Sequence, residues 1–182
     1  MSKARSGHFF GTIGYKSASN LMKNAHNYAI MASDKLDLRE HPTKYKQLGS
    51  KKLKELKEKE NSRTLTKEEY KLRESNKRLA KRRNDGIKAF WEHEQFLIRN
   101  NLPTTRNWTS AMREAILRGK KPKFKGVTIQ SHHKYSVAKY PHLANVGEII
   151  YPATKNEHIQ GWHGGNTRNS LPGIPIKYIK EF

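Results

Sequence analysis

Beyond Gly119 the chain gathers five of its nine histidines into residues 132–163, inside a segment whose apolar residues have the spacing of strands. This pattern narrows the fold more than any other in the sequence. Phe124, Val127 and Ile129 precede the pair His132-His133 in a β-rich stretch, and VGEIIYP reads as a second short strand. Residues 154–161 follow as a short helix, with Thr154 at its cap and Glu157 at the capping-box position. The tail HGGNTRNSLPGIPIKYIKEF is dense in Gly and Pro, which favours turns and extended chain. The expected unit is strand, strand, helix.

Upstream the pattern is helical. Leu21, Met22, Ala25, Tyr28, Ala29 and Ala32 predict a helix over 19–35. Thr66 and Glu69 have capping-box spacing, and Leu65 and Tyr70 stand where a hydrophobic staple would sit. The run that follows has few apolar residues beyond Tyr70, Leu72 and Leu79, so this helix is expected to face solvent or lie on a partner. A second helix from about Asp85 carries Ile87, Phe90, Trp91, Glu94, Leu97 and Ile98 and ends before Pro103. That spacing assigns Phe90 and Trp91 to a core. A third helix over 109–118 stops at Gly119, which suits a C-cap. The expected class is α+β: a helical, strongly basic region over 1–105, then a compact ββα unit over 106–182.

Charge points to the partner. Lys and Arg number 37 against 16 Asp and Glu, a formal +21. Self-repulsion of that size is tolerated where a polyanion neutralises it, and nucleic acid releases counterions when it does so. Charge alone does not separate an enzyme from a basic RNA-binding protein. The chain has no cysteine, which excludes disulfides and thiolate metal sites, so a metal must be held by His and carboxylate. Its first residues, MSKARSGHFFGTIGYK, lack the apolar run of a signal peptide, and no stretch approaches a membrane span. A soluble chain is expected.

Two adjacent histidines plus two near a short helix favour metal binding over isolated packing roles. Neighbours on a strand point to opposite faces, so His132 and His133 are not equivalent ligands of one metal. One can bind a cation while the other serves as general base, the two functions that phosphodiester hydrolysis requires. His158 and His163 are five apart, roughly 140° on an ideal helix. To meet one metal, the helix must end or widen between them, and Gly161 lies inside that interval. His158 is therefore placed within the last helix and His163 just beyond it.

Ser131-His132-His133, then NVGEIIYPATKNEH, then GWHGGNTRNSLPG, resembles the HNH/endonuclease VII-like nuclease superfamily, and in particular its bacterial polymorphic-toxin branch with an SHH signature. The resemblance spans about residues 106–175. It implies a ββα-metal fold, one divalent cation (Mg, Zn, Ni or Mn), and endonuclease activity on DNA, with RNA as the alternative substrate. It also implies a secreted or delivered antibacterial effector that acts in the cytoplasm of a target cell and is countered by an immunity protein. An acidic surface on that protein would suit the charge of this chain.

Carried over by position, His132, His158 and His163 are the metal ligands and His133 is the base that activates water. The central Asn of the HNH pattern has no direct counterpart, leaving Asn145 or Glu148 to orient His133. Glu157 is a candidate to fix an imidazole, or else a helix-capping residue. Asn166 and Arg168 are candidate phosphate contacts, Arg by bidentate pairing, with turn chemistry as the other role for Asn166. His142 is assigned no chemical role. The rival reading from another class is a non-catalytic basic nucleic-acid-binding protein whose histidines hold structural zinc.

Overall fold

The computed structural model describes residues 36–182 except Lys46, and the helix expected over 19–35 lies outside the described residues. Helix α1 spans Ser50–Asn61 and α2 spans Lys67–Arg99. The capping box at the start of α2 is formed: Thr66 Oγ1 accepts from the Glu69 backbone N–H and the Glu69 carboxylate accepts from the Thr66 N–H. This fixes where the helix begins. The two helices expected on either side of Asp85 are one continuous helix of 33 residues. No proline or uncapped gap interrupts the segment, and its single interior glycine, Gly86, is retained for packing.

Helix α3, Ser110–Leu117, is capped by the Thr109 side chain and ends at Gly119, whose φ of 73° closes the last turn. A tight hairpin of β1 (Lys123–Phe124) and β2 (Val127–Thr128) then leads into β3 (Gln130–His133). β3 pairs antiparallel with β4 (Ile150–Ala153), placing His132 opposite Tyr151 and His133 opposite Ile150. The loop between them contains a 3-10 turn over Pro141–Leu143. After β4 comes the short helix, whose residues Glu157–Trp162 are wound as π-helix. The expected α+β class with a ββα unit is observed.

Helix α2 is not a solvent-facing accessory. Leu79 on its inner face packs with Val137, Ala144 and Tyr45, and Asn76 Oδ1 accepts from the Leu48 N–H at 3.0 Å. Further along, Ile98 joins Trp108, Met112, Ile116 and Ile129 in the main core, with Trp91, Phe124 and Phe182 against it. Phe90 is buried and Trp91 partly so, as their spacing predicts. The partner that the thin apolar stripe lacked is the loop between β3 and β4. A Cβ on Gly86 would stand 2.6 Å from the Ala144 carbonyl oxygen, and one on Gly147 would stand 2.9 Å from the Phe90 nitrogen. Helix and loop thus touch backbone to backbone at both glycines.

Residues 36–182 group as one unit, and hydrogen bonds join α2 to the chain across position 106. Glu94, buried in α2, accepts from the Thr105 N–H at 3.1 Å, from the Thr105 hydroxyl, and from Trp108 Nε1 at 2.6 Å. A buried carboxylate supplied with three donors is one whose desolvation is compensated.

Candidate metal centre and cleft

The candidate centre begins with a winding defect. In the π-helical turn the His163 N–H donates to the His158 carbonyl at 3.2 Å, five residues back, where an α-helix would bond four back. The wider turn brings residues i and i+5 to one side. His163 is the C-cap of this turn, so the expected placement of His158 inside the helix and His163 just past it is observed. Gly161 sits under the C-terminal tail: its carbonyl accepts from the Lys177 N–H at 2.9 Å, and a Cβ there would stand 3.2 Å from the Lys177 carbonyl oxygen.

The donor atoms of His132, His158 and His163 all lie within 4.8 Å of one another. The second ring nitrogen of each helix-side histidine is already engaged. His158 Nδ1 faces Gln130 Oε1 at 2.5 Å, and His163 Nδ1 faces the Asn169 carbonyl at 2.5 Å. A carbonyl only accepts, so His163 carries its proton on Nδ1 and presents a bare Nε2; the Gln130 oxygen imposes the same tautomer on His158.

The two Nε2 atoms are 3.3 Å apart. Two lone pairs facing at that distance repel unless a cation lies between them. A tetrahedral cation with imidazoles at about 2.0–2.1 Å separates its donor atoms by about 3.3–3.4 Å, so the residues present fit a metal. An all-imidazole set favours Zn or Ni over Mg, which prefers oxygen.

Electrostatics agree with that state. Burial, followed by the neighbouring His158, His163 and His133, holds His132 at about 3 against an ordinary 6.5. Burial and then His163 lower His158 as well. Neutral imidazole is the ligating form.

His133, next along β3, turns away from this cluster. Its Nε2 donates to the Ala144 carbonyl at 3.1 Å, leaving Nδ1 as the bare nitrogen. Burial pulls its pKa below the ordinary histidine value, the Ala144 bond opposes this, and Arg83 adds to the lowering.

The hydrogen-bond partner of the His133 ring in this structure is thus a backbone carbonyl, and neither Asn145 nor Glu148 bonds to it. Asn145 Oδ1 instead accepts from Arg82 Nη2 at 2.6 Å, and the same Arg82 nitrogen donates to the His142 carbonyl at 2.7 Å. Arg82 and Asn145 thus pin the loop that offers Ala144. Glu148 makes no hydrogen bond to His133; its charge acts on Lys134, whose pKa is lowered by burial and raised by Glu148. A carbonyl carries no signal in a sequence, so residue types alone do not reveal this contact.

The remaining expected residues divide. Glu157 contacts no histidine among its hydrogen bonds. Its carboxylate completes the capping box by accepting from the Thr154 N–H at 2.9 Å, accepts from Glu181 N–H at 2.9 Å, and pairs bidentately with buried Arg106. Burial would raise its pKa, but Arg106 and these backbone donors bring it below the usual value. Arg106 also donates to the Pro152 and Phe182 carbonyls and lies over the Phe182 ring at 3.7 Å. This pair, absent from the sequence reading, ties the short helix to β4 and the C-terminus. Asn166 performs turn chemistry, its Oδ1 accepting from the Arg168 N–H at 3.0 Å. Arg168 lines a cleft of about 310 Å³ together with His132, His133, His158 and His163. Tyr45 and Arg83 line it too, and neither was expected there.

Residues 73–154 match the family Tox-GHH, described as a GHH signature containing HNH/Endo VII superfamily nuclease toxin. Over this segment the chain is similar to the Tox-GHH family. The match begins within α2, takes in the Ala144 loop and both central strands, and ends before His158. The His-His pair in the Tox-GHH segment is preceded by Ser131, not glycine. Ser131 Oγ accepts from Trp91 Nε1 at 3.0 Å, a bond that glycine could not make and that fastens β3 to α2. No curated protein sequence matches the chain.

Proposed function

We propose that this protein is a metal-dependent endonuclease acting on DNA, the toxic part of an antibacterial effector. The observation that carries the proposal is the shared cleft: three histidines whose ring nitrogens converge, beside a fourth whose Nε2–H is taken by a carbonyl and whose Nδ1 is left bare. The similarity of residues 73–154 to a nuclease-toxin family supports it.

His132, His158 and His163 would hold the cation, which when bound supplies charge neutralisation at a phosphodiester. His133 does the proton work. With Nε2–H committed to Ala144, its Nδ1 takes a proton from water, and the lowered pKa keeps that nitrogen unprotonated at neutral pH. The hydroxide so formed attacks phosphorus and the P–O3′ bond breaks. Arg168, exposed on the cleft wall, would contact the phosphate backbone.

The formal +21 charge suits a polyanion with dense phosphates such as a DNA duplex. The same charge suits an acidic immunity protein, and the similarity to a nuclease-toxin family supports delivery into a competing cell. Among the described residues no helix is long and apolar enough to cross a membrane.

The test incubates plasmid DNA, and separately RNA, with protein and Zn²⁺, Ni²⁺, Mn²⁺ or Mg²⁺, with a chelator control. The proposal expects metal-dependent nicking that His133→Ala abolishes while metal content persists. Cleavage of RNA alone would change the substrate. Binding without cleavage, together with unfolding by chelator, would favour structural zinc.

A further inference from the structure

A second cavity, of about 440 Å³, opens on a flank of α2, separate from the cleft that holds the histidines. Ile87, Trp91 and Gln95 follow one another at four-residue spacing along that flank, and Ile116 of α3 lines the cavity with them. The walls are therefore largely apolar, and Trp91 is only partly buried in them. Gln95 Nε2 donates to the Ile116 carbonyl at 2.7 Å, which leaves its Oε1 as an acceptor. Asn84 adds an exposed amide. Lys88, Lys120 and Lys121, all exposed, stand around the cavity against the single carboxylate of Glu92. An apolar slot with an aromatic wall and a cationic rim matches a nucleobase and the phosphates on either side of it.

Cavity and cleft adjoin. Arg83 lines the cleft, and Asn84, the next residue of α2, lines the cavity. Ser131 lines the cleft directly before His132, and the Trp91 Nε1–H that its Oγ accepts at 3.0 Å belongs to the cavity wall. Resting on the nuclease reading, we propose that this cavity takes an unpaired nucleobase of the substrate strand, next to the nucleotide in the histidine cleft. Trp91 stacks on the base, and Gln95 and Asn84 meet its polar edge. Lys88, Lys120 and Lys121 neutralise the flanking phosphates, the charge complement of the rim. A paired base must be unstacked before it enters, a cost that a bulged or single-stranded base avoids. The cavity thus directs cleavage toward unpaired nucleotides.

The experiment measures single-turnover cleavage, at saturating metal, of a duplex with a one-nucleotide bulge that carries either adenine or an abasic sugar. DNA and RNA versions are run in parallel. The base pocket expects wild type to cleave beside the adenine bulge about 10-fold faster than beside the abasic one. Trp91→Leu should bring that ratio near unity, whereas Trp91→Phe, which keeps a stacking ring, should preserve it. Ile87→Glu should also abolish the ratio, by placing a carboxylate in the cavity while the Trp91–Ser131 bond is kept. Lys120→Ala combined with Lys121→Ala should slow cleavage at both bulges. The ratio is internal to each protein, so partial loss of folding does not imitate it. Equal rates at the two bulges in wild type, or a ratio that survives Trp91→Leu and Ile87→Glu, overturn the base pocket and leave the nuclease reading standing. Either result returns the cavity to an apolar side chain of an acidic protein. Unchanged rates in the double lysine variant overturn the pocket as well. Failure of wild type to cleave DNA or RNA overturns both readings.

Discussion

His158 and His163 are five residues apart, yet their Nε2 atoms lie 3.3 Å from each other, because the turn between them is wound as π-helix. On an α-helix their side chains would diverge by roughly 140°. The one extra residue in the turn converts a mismatched spacing into a converging donor pair, and an acceptor behind each ring fixes its tautomer.

That geometry makes Gln130 a sensitive position although it binds no metal itself. Gln130→Ala removes the acceptor behind His158, freeing the ring to rotate and to move its proton to Nε2. Metal affinity or cleavage should fall about 10–100-fold, measured by isothermal titration with Zn²⁺ or Ni²⁺. An affinity equal to wild type would show that the Gln130 contact does not orient the ligand.

The metal-free protein should lose stability as pH falls through the histidine range. His132 stands at about 3 when folded, against an ordinary 6.5, with burial the main cause. Between those values the unfolded chain binds a proton that the folded chain refuses, so stability rises with pH across this window and is lost on acidification. His133 and His158 are shifted in the same direction and add to the slope. Denaturant midpoints of chelator-treated protein should be nearly flat above neutrality and fall steadily from about pH 6.5 downward. His132→Phe should flatten the fall, and an unchanged slope would remove His132 from the account.

Gly86→Ala tests the approach of α2 to the Ala144 loop. In an exposed helix this change stabilises by about 1 kcal/mol. Here the added Cβ meets the Ala144 carbonyl oxygen at 2.6 Å, and backbone cannot rotate away as a side chain can. A net loss of about 1–3 kcal/mol is expected, together with reduced cleavage, because the displaced carbonyl is the one that orients His133. A thermal melt and a nicking assay on the same sample check both effects.

Glu157→Ala should be a stability variant and not a catalytic one. It strips buried Arg106 of its bidentate partner and opens the capping box, at a cost of about 3–5 kcal/mol. Metal affinity measured below the new unfolding temperature should remain near that of wild type. A large loss of affinity with little loss of stability would return Glu157 to the metal site.

Much of this arrangement was legible in the chain itself. The capping boxes at Thr66 and Thr154 and the stop at Gly119 depend on contacts within a few residues, and each formed where its spacing indicated. The order of two strands and a short helix carrying four histidines was equally local, as was the need for the last turn to end or widen near Gly161. What joined distant residues was not. The first half of helix α2 looked too sparsely apolar to be packed because part of its partner is backbone roughly 60 residues away, met through Gly86 with no side chain to signal it. The acceptor that orients His133 is a main-chain carbonyl, a group every residue has, so only the loop's path selects Ala144. Arg83 and Tyr45 read as an ordinary basic residue and an ordinary aromatic; folding alone brought both residues to the cleft wall. Spacing determined the local elements, since those rest on short-range hydrogen bonds and period. The tertiary structure decided the site, since its donors and acceptors are supplied by segments that meet only when the core closes.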